Sequence, residues 1–174
     1  ETGDIYILGK DTWKNIGIKS APVVLNTFLG AEMVGIEYWP VFDTYIKMHA
    51  DTTSTPIRNK WFSILADDYV KDSRDAGTGT GIVHLAPLFG EDDYRVCLEQ
   101  CVIAKEDMPH LEIIDKNCNL LELPFLDTKY HKRLILDTET DIIKDLKANQ
   151  ALVRIQQIRH EYPYCYRTDM PLIY

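Results

Sequence analysis

One histidine and three consecutive carboxylates are the residues whose types and spacing could do chemistry. His84 closes a short apolar run that follows Gly77-Thr78-Gly79-Thr80-Gly81. Ala86-Pro87 breaks that run, Leu88-Phe89-Gly90 makes a turn, and Glu91, Asp92 and Asp93 open the next segment. Apolar residues at 94, 97, 98, 101 and 102 then give the one-sided stripe of an amphipathic helix. A histidine at a strand end is thereby set before an acidic cluster at a helix start, nine residues ahead of Asp93. Strand ends and helix starts leave backbone polar groups free for ligands, so the stretch reads as a site.

The individual features narrow that site. The glycine-threonine run lacks the Gly-Lys-Ser/Thr ending of a phosphate loop and precedes a strand, so close backbone approach or a turn explains its glycines better. Carboxylates in a first helical turn gain about 0.3–1 kcal/mol each from the helix dipole. One acid suffices for that. Three in a row repel one another, which leaves Asp92 or Asp93 for another duty, such as a charge-assisted hydrogen bond to an α-ammonium group. No metal is expected, because Cys97 and Cys101 lie one turn apart on an apolar face and no paired short spacings supply four ligands. No Gly-x-Ser-x-Gly elbow appears, and no cysteine is flanked as a nucleophile.

The elements that must position these residues read as β-rich. Strands are expected at 4–8, 23–28, 34–38 continuing through 41–46, 61–65, 111–114 and 151–158, with a bent edge at 120–126 around Pro124. A short helix is weakly signalled over 10–20. The acidic segment predicts a helix from 91 to near Lys105, and Thr138 with Asp141 resembles a capping box for a second. The stretches 51–56, 71–77 and 115–119 have loop compositions. Many short strands with few helices predict a β-rich α+β fold, a small β-barrel core with peripheral helices.

With 174 residues the chain fits one domain, 1–174, and its end at Met170-Pro171-Leu172-Ile173-Tyr174 reads as a piece of a longer protein. No apolar run is long enough to span a bilayer, and four scattered cysteines fit a reducing, cytoplasmic compartment. A net charge of −8 argues against gripping nucleic acid by charge alone. Local basic clusters remain at Lys129, His131, Lys132 and Arg133, and at Arg154, Arg159 and His160, where a solvated face is the plainer reading.

Resemblance adds what pattern does not. Gly79-Thr80-Gly81-Ile82-Val83-His84-Leu85-Ala86-Pro87, followed by Gly90-Glu91-Asp92-Asp93-Tyr94, resembles the editing-domain signature of the isoleucyl-tRNA synthetase family, a branch of the class I synthetases. The run from His160 to Tyr174 resembles that family's return from the inserted editing domain to the catalytic core, and His84 points to the isoleucine enzyme over its valine and leucine relatives. The continuation Tyr94-Arg95-Val96-Cys97 resembles the cytoplasmic eukaryotic form.

The resemblance implies a domain that hydrolyses valine misattached to isoleucine tRNA. A hydrophobic pocket gains only about 1–3 kcal/mol from one methylene, and isoleucine against valine is the standard illustration of that limit. A second site must then reject the wrong ester. The family pattern makes Asp93 and His84 the catalytic pair: Asp93 would hold the α-ammonium, and His84 would line the side-chain pocket and exclude isoleucine. Thr80, Gly81 and Asp92 would frame the terminal adenosine. A positioned water would attack the ester, without a metal or cofactor, while the parent synthetase would use ATP and magnesium. The implied partners are the mischarged tRNA and the rest of the synthetase. The alternative is a non-catalytic barrel that docks the tRNA acceptor end or a partner protein. One departure stands out: the family's Thr-Thr-Thr-Pro-Trp-Thr strand is absent, and Thr52-Thr53-Ser54-Thr55-Pro56 imitates only its composition.

Overall fold

The computed structural model describes residues 3–51, 60–70, 79–157, 163–167 and 172, with the side chains of 48–51 left aside. The expected loops at 51–56 and 71–77 therefore lie almost wholly outside the described residues. The chain divides into two compact units, Glu1–Ile36 with Ser63–Leu85, and Glu37–Phe62 with Ala86–Tyr174.

The β-barrel expectation is overturned. Among the described residues there is no strand and no sheet, only isolated antiparallel bridges such as Ile114 with Leu120 and Asn119 with Leu134. The regular elements are helical: α1 (Thr44–Asp51), α2 (Glu91–Glu99), the single turn α3 (Met108–Leu111), α4 (Glu139–Ala148), and several short 3-10 helices. The physical reason is pairing. β-Branched and aromatic residues favour an extended backbone, but a strand exists only where a neighbouring backbone accepts and donates along it. At 23–28 and 151–157 the chain has no ladder, and most of its apolar side chains are exposed, Val23 at 84% and Val153 and Ile155 each at 57%. The expected strand continuation over 41–46 is also corrected, because Thr44 starts α1.

In the first unit a 3-10 helix, Thr12–Ile16, occupies the weakly signalled stretch 10–20. Gly9 and Gly81 bring two backbones together there: Gly9 N–H donates to Thr80 O at 2.7 Å, and the buried Thr12 hydroxyl donates to Gly9 O at 2.8 Å and Thr80 O at 3.2 Å. A β-carbon at Gly9 would lie 2.9 Å from Thr80 O, and Gly81 has φ +78°, so both positions require glycine. Gly35 N–H to Ile64 O and Ile64 N–H to Ile36 O, each 2.9 Å, tie the unit's two segments elsewhere.

The second unit carries most of the buried apolar residues: Val96, Cys97, Val102, Ile103, Leu111, Leu120 and Tyr130. The expected helix at 91 forms, but α2 ends at Glu99 and not near Lys105. Cys101 adopts φ 57°, and the amides of Cys101 and Val102 turn back to Leu98 O and Cys97 O at 3.1 and 2.8 Å. This is a Schellman closure with cysteine where glycine is usual, so the stop had no glycine to announce it. It swings Val102 and Ile103 into the core.

Around that core, Trp61 Nε1 donates to Val102 O at 2.8 Å, and Tyr45 on α1 donates to Leu111 O at 3.0 Å. Their rings meet edge to face at 6.0 Å, a geometry that favours aromatic pairs. Pro109 sits inside the first turn of α3, where a missing N–H costs nothing. The second expected helix is α4, but the capping box does not form: the Thr138 hydroxyl donates to Ile135 O at 2.6 Å. Asp115 organises the predicted turn at 115–119 by accepting the Asn117 and Asn119 amides at 2.8 and 2.9 Å.

Candidate functional site

The acidic start of α2 is built by a side chain that reaches back along its own chain. Asp93 Oδ2 accepts the Ala86 N–H at 2.8 Å, closing a loop over the turn 87–90. Gly90 precedes the helix in an extended conformation (φ −159°) that any residue could adopt. Its need for glycine is one of space: a β-carbon there would lie 3.0 Å from Asp93 Cγ and 3.1 Å from Oδ2. Asp93 is half-buried, and its Oδ1 has no hydrogen-bond partner among the described residues.

The neighbouring acids are employed differently. Asp92 pairs with Arg95 at 3.1 Å, and Arg95 reaches Glu99 at 3.1 Å, a pattern that supports the exposed helix face. Glu91 is exposed at the first turn. The three acids thus stand in three different surroundings.

An open hollow of about 520 Å³ lies beside this turn, lined by Pro87, Leu88, Phe89, Gly90, Glu91, Tyr94 and Met108. Its volume falls within the ordinary range for small-molecule sites, about 300–1,000 Å³. Glu91 and Tyr94 belong to the family signature, with Tyr94 also in the helix stripe, whereas nothing in the sequence brings Met108 to the turn. Asp93 is not among the lining residues. Beneath it, burial and then the charge of Asp93 push the Cys97 thiol up to about 11, so that thiol is no nucleophile.

Thr80, Gly81 and His84 fall in the first unit, whereas Asp92 and Asp93 fall in the second. Thr80 is held firmly: its carbonyl accepts from Gly9 and Thr12, and its hydroxyl donates to Ile82 O at 3.1 Å. Asn15 donates to Gly79 O at 2.6 Å. His84 is exposed, as are Ile82 and Val83 before it.

The basic cluster is absorbed by its own surroundings. Lys129 pairs with Asp145 at 2.5 Å, Lys132 with Glu122 at 2.8 Å and Arg133 with Asp141 at 2.8 Å. His131 meets Leu126 O at 2.9 Å. Arg159 and His160 lie outside the described residues. Among the described residues, no three His, Cys, Asp or Glu side chains gather as a metal site, and no helix is long and apolar enough to cross a membrane.

No protein-family model matches the chain. Its homologues are aminoacyl-tRNA synthetases. More narrowly, they are isoleucine–tRNA ligases, both cytoplasmic and bacterial, 32–39% identical over most of this chain. The cytoplasmic isoleucine–tRNA ligase of Arabidopsis thaliana is 39% identical over 151 residues, 87% of this chain and 11% of that protein. That of Mus musculus is 37% identical over the same shares. The isoleucine–tRNA ligase of Bacillus thuringiensis is 32% identical over 175 residues, 100% of this chain and 14% of its own length. The chain thus spans between a tenth and a seventh of these relatives.

Proposed function

We propose that this chain is the proofreading part of an isoleucine–tRNA ligase of the cytoplasm, and that it hydrolyses valine misattached to isoleucine tRNA. The observation that carries the reading is the clamped carboxylate: Asp93 Oδ2 accepts from Ala86 N–H, and Oδ1, with no partner among the described residues, can accept from an ammonium group. An anchored acceptor suits an aminoacyl ester, whose amine is a cation at neutral pH. The ligase relatives supply the context in which such an ester arises.

In this reading Asp93 holds the α-ammonium, and His84 gauges the side chain. Thr80, Gly81 and Asp92 contact the terminal adenosine. A water positioned against the ester carbonyl attacks it, the alcohol of the ribose leaves, and valine is released. The ester is already activated, so orientation and fixed dipoles are the main demands. The partners are the mischarged tRNA and the remainder of the ligase, whose ATP and magnesium serve a different step.

The test is deacylation of Val-tRNA by the full-length protein, wild type against Asp93→Ala. A drop of about a hundredfold is expected for a lost orienting contact, and equal rates would leave only passive docking of the tRNA end. His84→Ala should open the protein to Ile-tRNA; continued sparing of Ile-tRNA would remove the histidine as a gauge.

A further inference from the structure

Asp93 is a short side chain on the first turn of a helix, and two features outside it decide where its carboxylate stands. One is the Ala86 N–H, 2.8 Å from Oδ2. The other is the missing side chain at Gly90: a β-carbon would sit 3.0, 3.1 and 3.4 Å from Cγ, Oδ2 and Cβ of Asp93. The backbone of Gly90 is extended and asks for no glycine. Space is therefore the reason for it. An alanine would have to push the carboxylate aside by a few tenths of an ångström, which disturbs the bond that the same Oδ2 accepts from Ala86 N–H.

We propose that Gly90 and the Ala86 amide are positioning elements for ester hydrolysis, acting through Asp93 by fixing its carboxylate against the substrate's ammonium. This inference rests on the proofreading role of Asp93. Gly90 offers no functional group and touches no reacting atom. Its effect is confined to the one group it makes room for. Two consequences separate this from a structural role: the effect of Gly90 vanishes when Asp93 is gone, and it vanishes when the substrate has no ammonium.

The experiment uses the full-length protein as wild type, Gly90→Ala, Asp93→Ala and the double variant. Each is assayed on isoleucine tRNA carrying valine and on the same tRNA carrying the amine-free isovaleryl ester. Gly90→Ala is expected to lower kcat/KM on the valyl ester by about tenfold, mainly through KM, because sub-ångström misplacement of an orienting group costs that order. On the isovaleryl ester it should change little, and in the Asp93→Ala background it should add nothing. If Asp93→Ala itself is silent, the proofreading reading fails and this inference with it. If Asp93→Ala is impaired but Gly90→Ala is unaffected, slows both esters alike, or multiplies the Asp93→Ala defect, the inference alone is overturned. Should Gly90→Ala not fold, amide exchange decides: Ala86 N–H should exchange more slowly in the wild type than in Asp93→Ala, and equal rates overturn the clamp.

Discussion

The Val102 amide donates to the Cys97 carbonyl at 2.8 Å, and the residue that makes this possible, Cys101, has φ 57°. α4 ends in the same way: Ala151 N–H reaches Leu146 O at 2.9 Å over Gln150 at φ 56°. A side chain in the left-handed region costs about 1–2 kcal/mol, which glycine avoids at an entropic cost of about 0.5–1 kcal/mol. Cys101→Gly and Gln150→Gly should each therefore stabilise the protein by about 0.5–1 kcal/mol. Urea unfolding measures this. A lower midpoint for both would mean that these helix ends do not close as described.

Those two residues also mark what the sequence could not disclose. The starts of α2 and α4 were legible because acids and apolar spacing are local signals. Their ends were not, because a cysteine and a glutamine hold positions where glycine is the recognised cue. The barrel failed for a different reason. Val23, Val24 and Leu25 have strand-type side chains, but whether a backbone finds a partner is decided by distant residues, and here these three stay exposed. His84 and Asp93 stand out in the sequence by type and spacing, and again through the family pattern. Gly90 reads as a turn residue and as part of the family signature, but its crowding against Asp93 exists only once the turn is folded.

Cys97 on α2 and Cys101 just past its end should differ sharply in reactivity. Cys97 is 2% exposed, and burial with the nearby Asp93 charge raises its thiol to about 11, whereas Cys101 is exposed. Thiolate is the reacting form, so an alkylating reagent at pH 7.5 should modify Cys101 and spare Cys97 while the protein is folded. Peptide mapping of a brief reaction distinguishes them. Early labelling of Cys97 would contradict its place in the core.

Acid should loosen the contacts that bind α4 to the segment before it. The Arg133 hydrogen bond foremost lowers the Asp141 carboxyl, and Lys129 followed by Tyr130 lowers that of Asp145. Groups lowered in the folded state add stability above the ordinary carboxylate pKa of about 3.9 and lose it as pH falls through their folded values. Melting temperature should thus decline below about pH 4, less steeply in Asp145→Asn than in the wild type. The alkaline side runs oppositely. Burial, then the bond to Asp145, raises Tyr130 to about 12, so its contribution is whole below about pH 10 and is lost as pH rises through about 12. Tyr130→Phe should be less stable at neutral pH and should lack that alkaline loss; identical profiles from pH 2 to 11 would sink this account.

In the first unit, Gly9→Ala should be among the costliest single-methyl additions. The new carbon would stand 2.9 Å from Thr80 O and 3.3 Å from Thr12 Cγ2, and the first of these is backbone. Thr80 O also accepts from Gly9 N–H and Thr12 Oγ1, so it cannot retreat without weakening two hydrogen bonds. Overpacking of this kind costs about 1–3 kcal/mol. Thr12→Val provides the comparison, because it keeps the shape and removes only the buried hydroxyl, a loss of about 0.5–1.5 kcal/mol if the hydroxyl's bonds matter. Amide exchange at Gly9 and Thr12, which donate to Thr80 O and Gly9 O, reads the local effect directly. Faster exchange at both in Gly9→Ala is expected, and unchanged protection would mean that the backbones at Gly9 and Thr80 are not in contact.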